Sequence, residues 1–175
     1  MRCSEPGHRA VVARWRHNRT VTMRSLELKI PPPAVGLITA LLMWLASQAV
    51  LSFTWLSAVR IATASVLVAI GACITIAGVV SFMRARTTIN PVKPSSASSL
   101  VITGIYRLTR NPMYLGLLFI LLGWAVFLAN VLAFLLLPGF VLYINRFQIT
   151  PEETALSGIF GSEFATYKAN VRRWL

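Results

Sequence analysis

The sequence predicts an all-α protein, an integral membrane bundle of about four transmembrane helices followed by a C-terminal interfacial amphipathic helix. Three observations carry this. The 175 residues are 56% hydrophobic with a mean hydropathy of +0.68, too apolar for a soluble domain of this size. Uncharged apolar runs recur at lengths that suit a bilayer, whose hydrocarbon core takes about 20 residues of helix to cross. Sixteen of the seventeen Lys and Arg fall on one side of those runs, the bias that keeps basic flanks in the cytoplasm.

The elements follow in order. Residues 1–30 form a basic cytoplasmic segment carrying seven Lys and Arg. Met23 opens "MRSLELKIPPP" and reads as a natural start, which makes residues 1–22 an extension; residues 31–175 are the membrane domain. Pro31, Pro32 and Pro33 make a stiff lead-in that ends as the first helix begins. The first span is 34–53, "AVGLITALLMWLASQAVLSF", without a formal charge. Trp44 suits apolar packing and Trp55 interfacial anchoring. The second span, 61–83, lies between Arg60 and the pair Arg84 and Arg86. Its Gly71, Gly78, Ala64, Ala77 and Ser65 let a neighbouring helix come close. Residues 87–103 are polar, with Pro91, Pro94 and a Ser-rich cluster at 95–99, and make a cytoplasmic loop longer than a turn requires.

Residues 113–145 are again uncharged, long for one helix and short for two. A tight hairpin turning near Ala129-Asn130 resolves the length; a single strongly tilted helix is the alternative. Charge favours the hairpin, because one helix would carry Arg146 and the tail to the far side. With it, seven basic residues precede the first span, five separate the second from the third and four follow the fourth, leaving Arg60 alone opposite. The protein is then multi-pass, in the inner or plasma membrane if bacterial, with both termini cytoplasmic.

The formal charge of +12 therefore reads as orientation and attraction to anionic lipid, and argues against nucleic acid as a partner. Cys3, Cys73, His8 and His17 offer no metal-ligand spacing, and the sequence has no Asp. Neither a metal site nor a Ser-His-Asp hydrolase is expected. The first 33 residues are too charged for a signal peptide.

Two stretches carry chemistry. The first is residues 104–116, "GIYRLTRNPMYLG", at the threshold of the third span. Asn111 suits an N-cap and Pro112 the first helical position, so helix three starts there. Its free N–H groups and positive dipole end can hold a carboxylate or phosphate. If the stretch before it is helical, Tyr106 shares a face with Arg110, and Arg107 with Asn111. Gly116 and Gly123 would let another helix or a ligand approach. Arg and Tyr are equally common as plain interfacial anchors, and the residues alone do not separate that reading from a ligand site.

The second stretch is residues 146–164, "RFQITPEETALSGIFGSEF". Thr150, Pro151 and Glu153 spell a capping box for a new helix, which accounts for Glu153. Glu152 needs no such account and is freer to meet a cationic ligand. Acids are scarce: Glu5, Glu27, Glu152, Glu153 and Glu163 are all of them. Past Gly161, Phe164, Tyr167, Val171 and Trp174 recur at helical spacing among Lys168, Arg172 and Arg173, an amphipathic helix anchored on the membrane surface.

"GIYRLTRNPMYLG", a hydrophobic hairpin, "EE" and "FGSEFATYKANVRRW" together resemble the isoprenylcysteine carboxyl methyltransferase and phospholipid methyltransferase superfamily. Its hallmark is Arg-His-Pro-x-Tyr-x-Gly followed, past a helical hairpin, by Glu-Glu. The resemblance covers residues 87–175, more weakly the first spans. It implies a membrane-embedded transferase that uses S-adenosylmethionine without a Rossmann domain, and no Gly-x-Gly-x-x-Gly occurs in the chain. Carried over by position, it implies cofactor contacts from Ser99, Leu100, Val101, Tyr106, Asn111, Pro112, Met113, Tyr114 and Glu152. Glu152 and aromatic faces would meet the cofactor's cationic groups, and the start of helix three its carboxylate.

Two positions depart from the pattern. Asn111 replaces the motif His and cannot shuttle a proton near neutral pH. Gln148 stands where the eukaryotic carboxyl methyltransferase has a substrate-contacting Arg. The expected acceptor is an apolar or lipid-like small molecule reached from the bilayer, with Arg110 and Arg146 orienting an anionic group. A carboxylate acceptor needs no base; an amine must first lose a proton, for which Glu153 or Tyr114 would serve. The alternatives are a phospholipid or amine N-methyltransferase, and a non-enzymatic membrane protein that keeps the fold.

Overall fold

The computed structural model describes residues 30–48, 56–85 and 100–175. The expectations for residues 1–22, the loop up to Ser99, and Trp55 lie outside the described residues. Every element among them is helical: α1 (Pro32–Ser47), α2 (Ser57–Arg84), a 3₁₀ turn (Gly104–Arg107), α3 (Pro112–Leu128), α4 (Val131–Ile144), a π-turn (Asn145–Ile149) and α5 (Thr150–Asn170). Ser57–Arg84 and the continuous helix Val131–Asn170 are each long and apolar enough to cross a membrane. α1 and α3 are apolar but shorter, 16 and 17 residues. The first span thus begins two residues earlier than predicted, and the second extends past both predicted ends.

The hairpin forms where its length required. Ala129 adopts a left-handed conformation (φ 47, ψ 45) that ends α3, and Asn130 starts α4 by accepting from the Leu132 N–H at 2.9 Å. An asparagine at an N-cap satisfies a donor that the helix start leaves open.

α2 and α3 form the most extensive helix pair. They are this close because both carry glycine at the crossing. A Cβ on Gly71 would lie 2.5 Å from the Gly116 carbonyl oxygen, and one on Gly116 would run into Thr75 Oγ1. Nearer the loop end, Pro112 and Met113 lie against Gly78. α1 and α4 close the other side, with Val35 and Met43 packed on Leu121, Ala125, Phe140 and Ile144. Trp124 Nε1 of α3 donates to the Ala40 carbonyl of α1 at 3.1 Å.

Outward, the bundle is apolar: Leu37, Leu41, Ile76, Leu135 and Leu142 are all more than half exposed. Water does not tolerate that surface, whereas lipid does. Trp44, expected to pack inside, is 46% exposed and belongs to this outer surface.

Two sequence expectations fail on this end of the molecule. α5 begins at Thr150 as expected, but without the expected capping box. The chain runs from α4 through the π-turn directly into α5, and both the Thr150 N–H and its Oγ1 go to the Asn145 carbonyl. The wide turn sits where Pro151, lacking an N–H, would otherwise break the ladder. With the preceding turn already helical there is no open end to cap, so Glu153 is free of the capping box. The C-terminal amphipathic helix also stops short. Gly161 (φ 49, ψ −117) kinks α5, the helix ends at Asn170, and residues 171–175 turn back toward the start of α3.

Gly116→Ala is expected to lower unfolding stability by about 2 kcal/mol by forcing α2 and α3 apart. Gly139→Ala, with nothing within 4 Å of the added carbon, is expected to be neutral or slightly stabilising. Thermal unfolding in detergent compares the two; equal losses would overturn the close-crossing account.

Candidate functional site

The site lies where the start of α3, the 3₁₀ turn, the start of α5 and the C-terminal tail converge. Residues 104–111 are not an α-helix, so the expected pairing of Tyr106 with Arg110 and of Arg107 with Asn111 on shared faces does not occur. The 3₁₀ turn ends at Arg107; it buries Tyr106 and leaves Arg107 exposed. Tyr106 packs edge-on against Phe82 of α2, with ring centroids 5.4 Å apart. Its carbonyl accepts from the Tyr167 hydroxyl at 2.7 Å. Burial, then the nearby Tyr167 and Glu152, push the Tyr106 phenol above its ordinary value, so it remains a protonated donor.

Asn111 occupies the N-cap position of α3, but its side chain does not cap. Its Nδ2 donates to the Arg173 carbonyl at 2.9 Å, joined there by Thr109 Oγ1 at 3.2 Å. The Arg110 N–H donates to the Arg172 carbonyl at 3.0 Å. The tail is thus stitched along the threshold of α3, and an amide does here what a proton shuttle was not needed for. Trp174 Nε1 completes the seam by donating to Asn145 Oδ1 at 3.1 Å.

The two adjacent glutamates point to different partners, since successive helical residues lie about 100° apart. Glu152 Oε1 accepts from the Tyr114 hydroxyl at 2.9 Å. Glu153 faces the tail. Arg173 grips it as a fork, Nη2 to Oε2 at 2.6 Å and Nε to Oε1 at 3.2 Å. Arg110 Nη1 approaches Oε1 at 3.2 Å, and Lys168 Nζ lies 4.0 Å from Oε2. Glu153 is therefore a held anchor and is not placed as a base.

Of the residues expected at the site, Tyr106, Asn111, Tyr114, Glu152, Glu153 and Arg110 come together at this end. Val101 is buried and Leu100 half-buried on the approach to the 3₁₀ turn, while Ser99 lies outside the described residues. Pro112 and Met113 lean on Gly78 of α2. Arg146 is exposed and lies over the Phe147 ring at 5.6 Å. Gln148, where an Arg was expected in the eukaryotic pattern, is buried and donates to the Ile30 carbonyl at 2.8 Å, tying the π-turn to the start of α1.

Thr109, Tyr167, Lys168 and Arg173 were not expected in the site. The signal available was the scarcity of acids: a buried glutamate calls for partners, and the basic tail held them.

Glu153→Ala strands Arg110, whose side chain is 11% exposed, and is expected to lower stability by about 3 kcal/mol. Arg173→Ala, at a more exposed position, is expected to cost about 1 kcal/mol. Chemical unfolding in detergent measures both, and a reversed order would overturn Glu153 as the hub.

Comparison with known proteins gives the arrangement its context. The family model for phospholipid methyltransferase matches residues 59–163, more than half of the chain. Over 63 residues, 36% of this chain, it is 56% identical to an uncharacterised protein of Haemophilus influenzae, whose whole length is covered. Over 121 residues, 67% of this chain, it is 31% identical to the protein-S-isoprenylcysteine O-methyltransferase of Mus musculus; the chain spans 40% of that protein's length. No solved structure matches. The family match takes in α2, the threshold motif, the hairpin and both glutamates, and it bears out the resemblance that the motifs carry. The chain belongs to the phospholipid methyltransferase family.

Proposed function

We propose that the protein is a membrane-embedded methyltransferase that moves a methyl group from S-adenosylmethionine to a lipid-like acceptor at the cytoplasmic face. The observation that carries this is the 2.9 Å hydrogen bond from Tyr114 to Glu152, which joins the last polar residue of the first motif to the first glutamate of the second.

The residues present fit the cofactor. Glu152 offers a carboxylate in a largely apolar surrounding, where an uncompensated charge is costly and a cation is welcome. Tyr106 and Tyr114 bring aromatic faces that suit a sulfonium. Bound S-adenosylmethionine would supply a methyl group activated by its sulfonium, whose sulfur would keep the electron pair and leave as a neutral thioether. The protein's share is positioning and exclusion of water. Tyr114 fixes Glu152 by donating to it, the neutral Tyr106 adds no competing charge, and the tail holds the start of α3 in place.

The acceptor is read as a carboxylate, in keeping with the activity that the mouse relative's name states. Such a group needs orientation and no base. Glu153 is gripped by two arginines and the Tyr114 proton is committed to Glu152, so neither is disposed to deprotonate an amine. Amine methylation on a phospholipid is the second reading, favoured by the family description. Transfer of labelled methyl to a prenylated cysteine or to phosphatidylethanolamine distinguishes them.

Membrane placement follows from charge. The site end gathers Arg110, Lys168, Arg172 and Arg173, while Arg60 sits at the other end beside Phe127, where α3 finishes. Four spans with both termini cytoplasmic agree with that segregation.

Purified wild-type protein is expected to bind radiolabelled S-adenosylmethionine saturably, with Glu152→Gln and Tyr114→Phe each weakening binding by about tenfold or more. No binding by folded, monodisperse wild type would sink the methyltransferase reading.

A further inference from the structure

We infer that Arg110, Lys168 and Arg173 form a binding site for an oxyanion, a phosphate or a carboxylate, beside the Glu152–Tyr114 pair. The observation behind it is a charge imbalance with orphaned donors. Three cations converge on the single carboxylate of Glu153, at 3.2, 4.0 and 2.6 Å, which leaves two positive charges over. Glu152 next to it accepts from the Tyr114 hydroxyl, and with both carboxylates counted as charged one positive charge is still left over; Glu163 is exposed.

Within the cluster, the Arg110 side chain is 11% exposed, and its Nε and Nη1 are both shielded from solvent without a hydrogen-bond acceptor. Its 3.2 Å approach to Glu153 is charge contact without hydrogen-bond geometry. A guanidinium carries five N–H donors in a fixed fork, and burying charged donors without acceptors is among the costlier things a fold can do. The chain nevertheless holds the Arg110 backbone in place, through its N–H on the Arg172 carbonyl and the Thr109 and Asn111 side chains on the Arg173 carbonyl. A buried and under-satisfied guanidinium is completed when a bidentate oxyanion joins it. Lys168 and Arg173, 42% and 37% exposed, keep the cluster open toward water and add charge at its rim.

The role of the site rests on the methyl-transfer reading; its binding does not. In that reading the oxyanion belongs to the acceptor. Glu152 holds the cationic donor on one face of α5, and the arginine cluster holds an anionic acceptor on the neighbouring face.

The test uses the full chain in nonionic detergent, with inorganic phosphate and a short-chain phosphatidic acid as probes and S-adenosylmethionine binding measured in parallel. Wild type is expected to bind at least one oxyanion probe. Arg110→Gln is expected to weaken that binding by about tenfold or more, and Arg110→Lys to recover part of it. Lys168→Gln, at an exposed position where folding is not at stake, is expected to weaken it by about threefold. Tighter binding of the lipid than of phosphate identifies a headgroup as the source, and equal binding identifies the free ion; either supports the site. Absence of oxyanion binding by wild type, or equal binding by wild type and Arg110→Gln, overturns it. Parallel loss of S-adenosylmethionine and oxyanion binding in Arg110→Gln also overturns it, because the anion held would then be the cofactor's own carboxylate. Arg110-dependent oxyanion binding without any S-adenosylmethionine binding in wild type would leave the site standing and remove the methyl donor.

Discussion

The grip of Arg173 and Arg110 on the Glu153 carboxylate is the constraint on which this end of the molecule depends. Three separate pieces of chain meet there: the threshold of α3, the first turn of α5 and the tail after Asn170. Each would otherwise present open backbone groups. The tail lacks regular structure, yet the Arg172 and Arg173 carbonyls find donors on Arg110, Asn111 and Thr109. A surface ion pair would contribute little. This one is largely withdrawn from water on the Glu153 and Arg110 sides, and there a missing partner matters far more than a present one contributes.

Because Glu153 is occupied in this way, its neighbour can be reserved. Two adjacent carboxylates close together would repel and compete for the same cations. The helix separates them by rotation, and the surroundings finish the division. Glu153 faces arginines and becomes architecture, while Glu152 meets the Tyr114 hydroxyl. In a chain with five acidic residues in all, committing one to the scaffold is a considerable share, and it shows how much holding the tail is worth.

The helical frame was legible because it follows from length and polarity. The uncharged run at 113–145 exceeds one bilayer crossing, so a turn had to fall near its middle, and Ala129-Asn130 was the only polar interruption there. The glycines of α2 and α3 were legible as contact points for the same local reason. Thr150 to Glu153 misled because a capping box is defined by a helix end, and whether the previous helix ends is not written in those four residues. The π-turn that carries α4 into α5 also brings Gln148 to the Ile30 carbonyl, more than a hundred positions earlier, a contact no local pattern announces. The tail misled likewise. Phe164, Tyr167, Val171 and Trp174 have helical spacing, but the last two leave the helix, where the tail carbonyls find donors on Thr109, Arg110 and Asn111 just before α3. Of the site, the motif residues Tyr106, Tyr114 and Glu152 were legible by position, whereas Arg173 and Thr109 enter through long-range pairing that no local pattern encodes.

The basic residues serve two ends with one distribution. Orienting the bundle asks only that cations collect on one side, and any arrangement there would do. Arg110, Lys168 and Arg173 are instead drawn together around a carboxylate. The apolar exterior of α2 and α4 meanwhile leaves lipid as the medium around the other flank. A site at that junction has charge on its water side and hydrocarbon on its membrane side. An acceptor with an anionic head and a long apolar tail satisfies both at once, whereas a small polar acceptor would waste the second and a plain hydrocarbon the first. An amphiphilic acceptor, as proposed, accords with where the cations stand relative to the apolar flank, before any particular headgroup is considered.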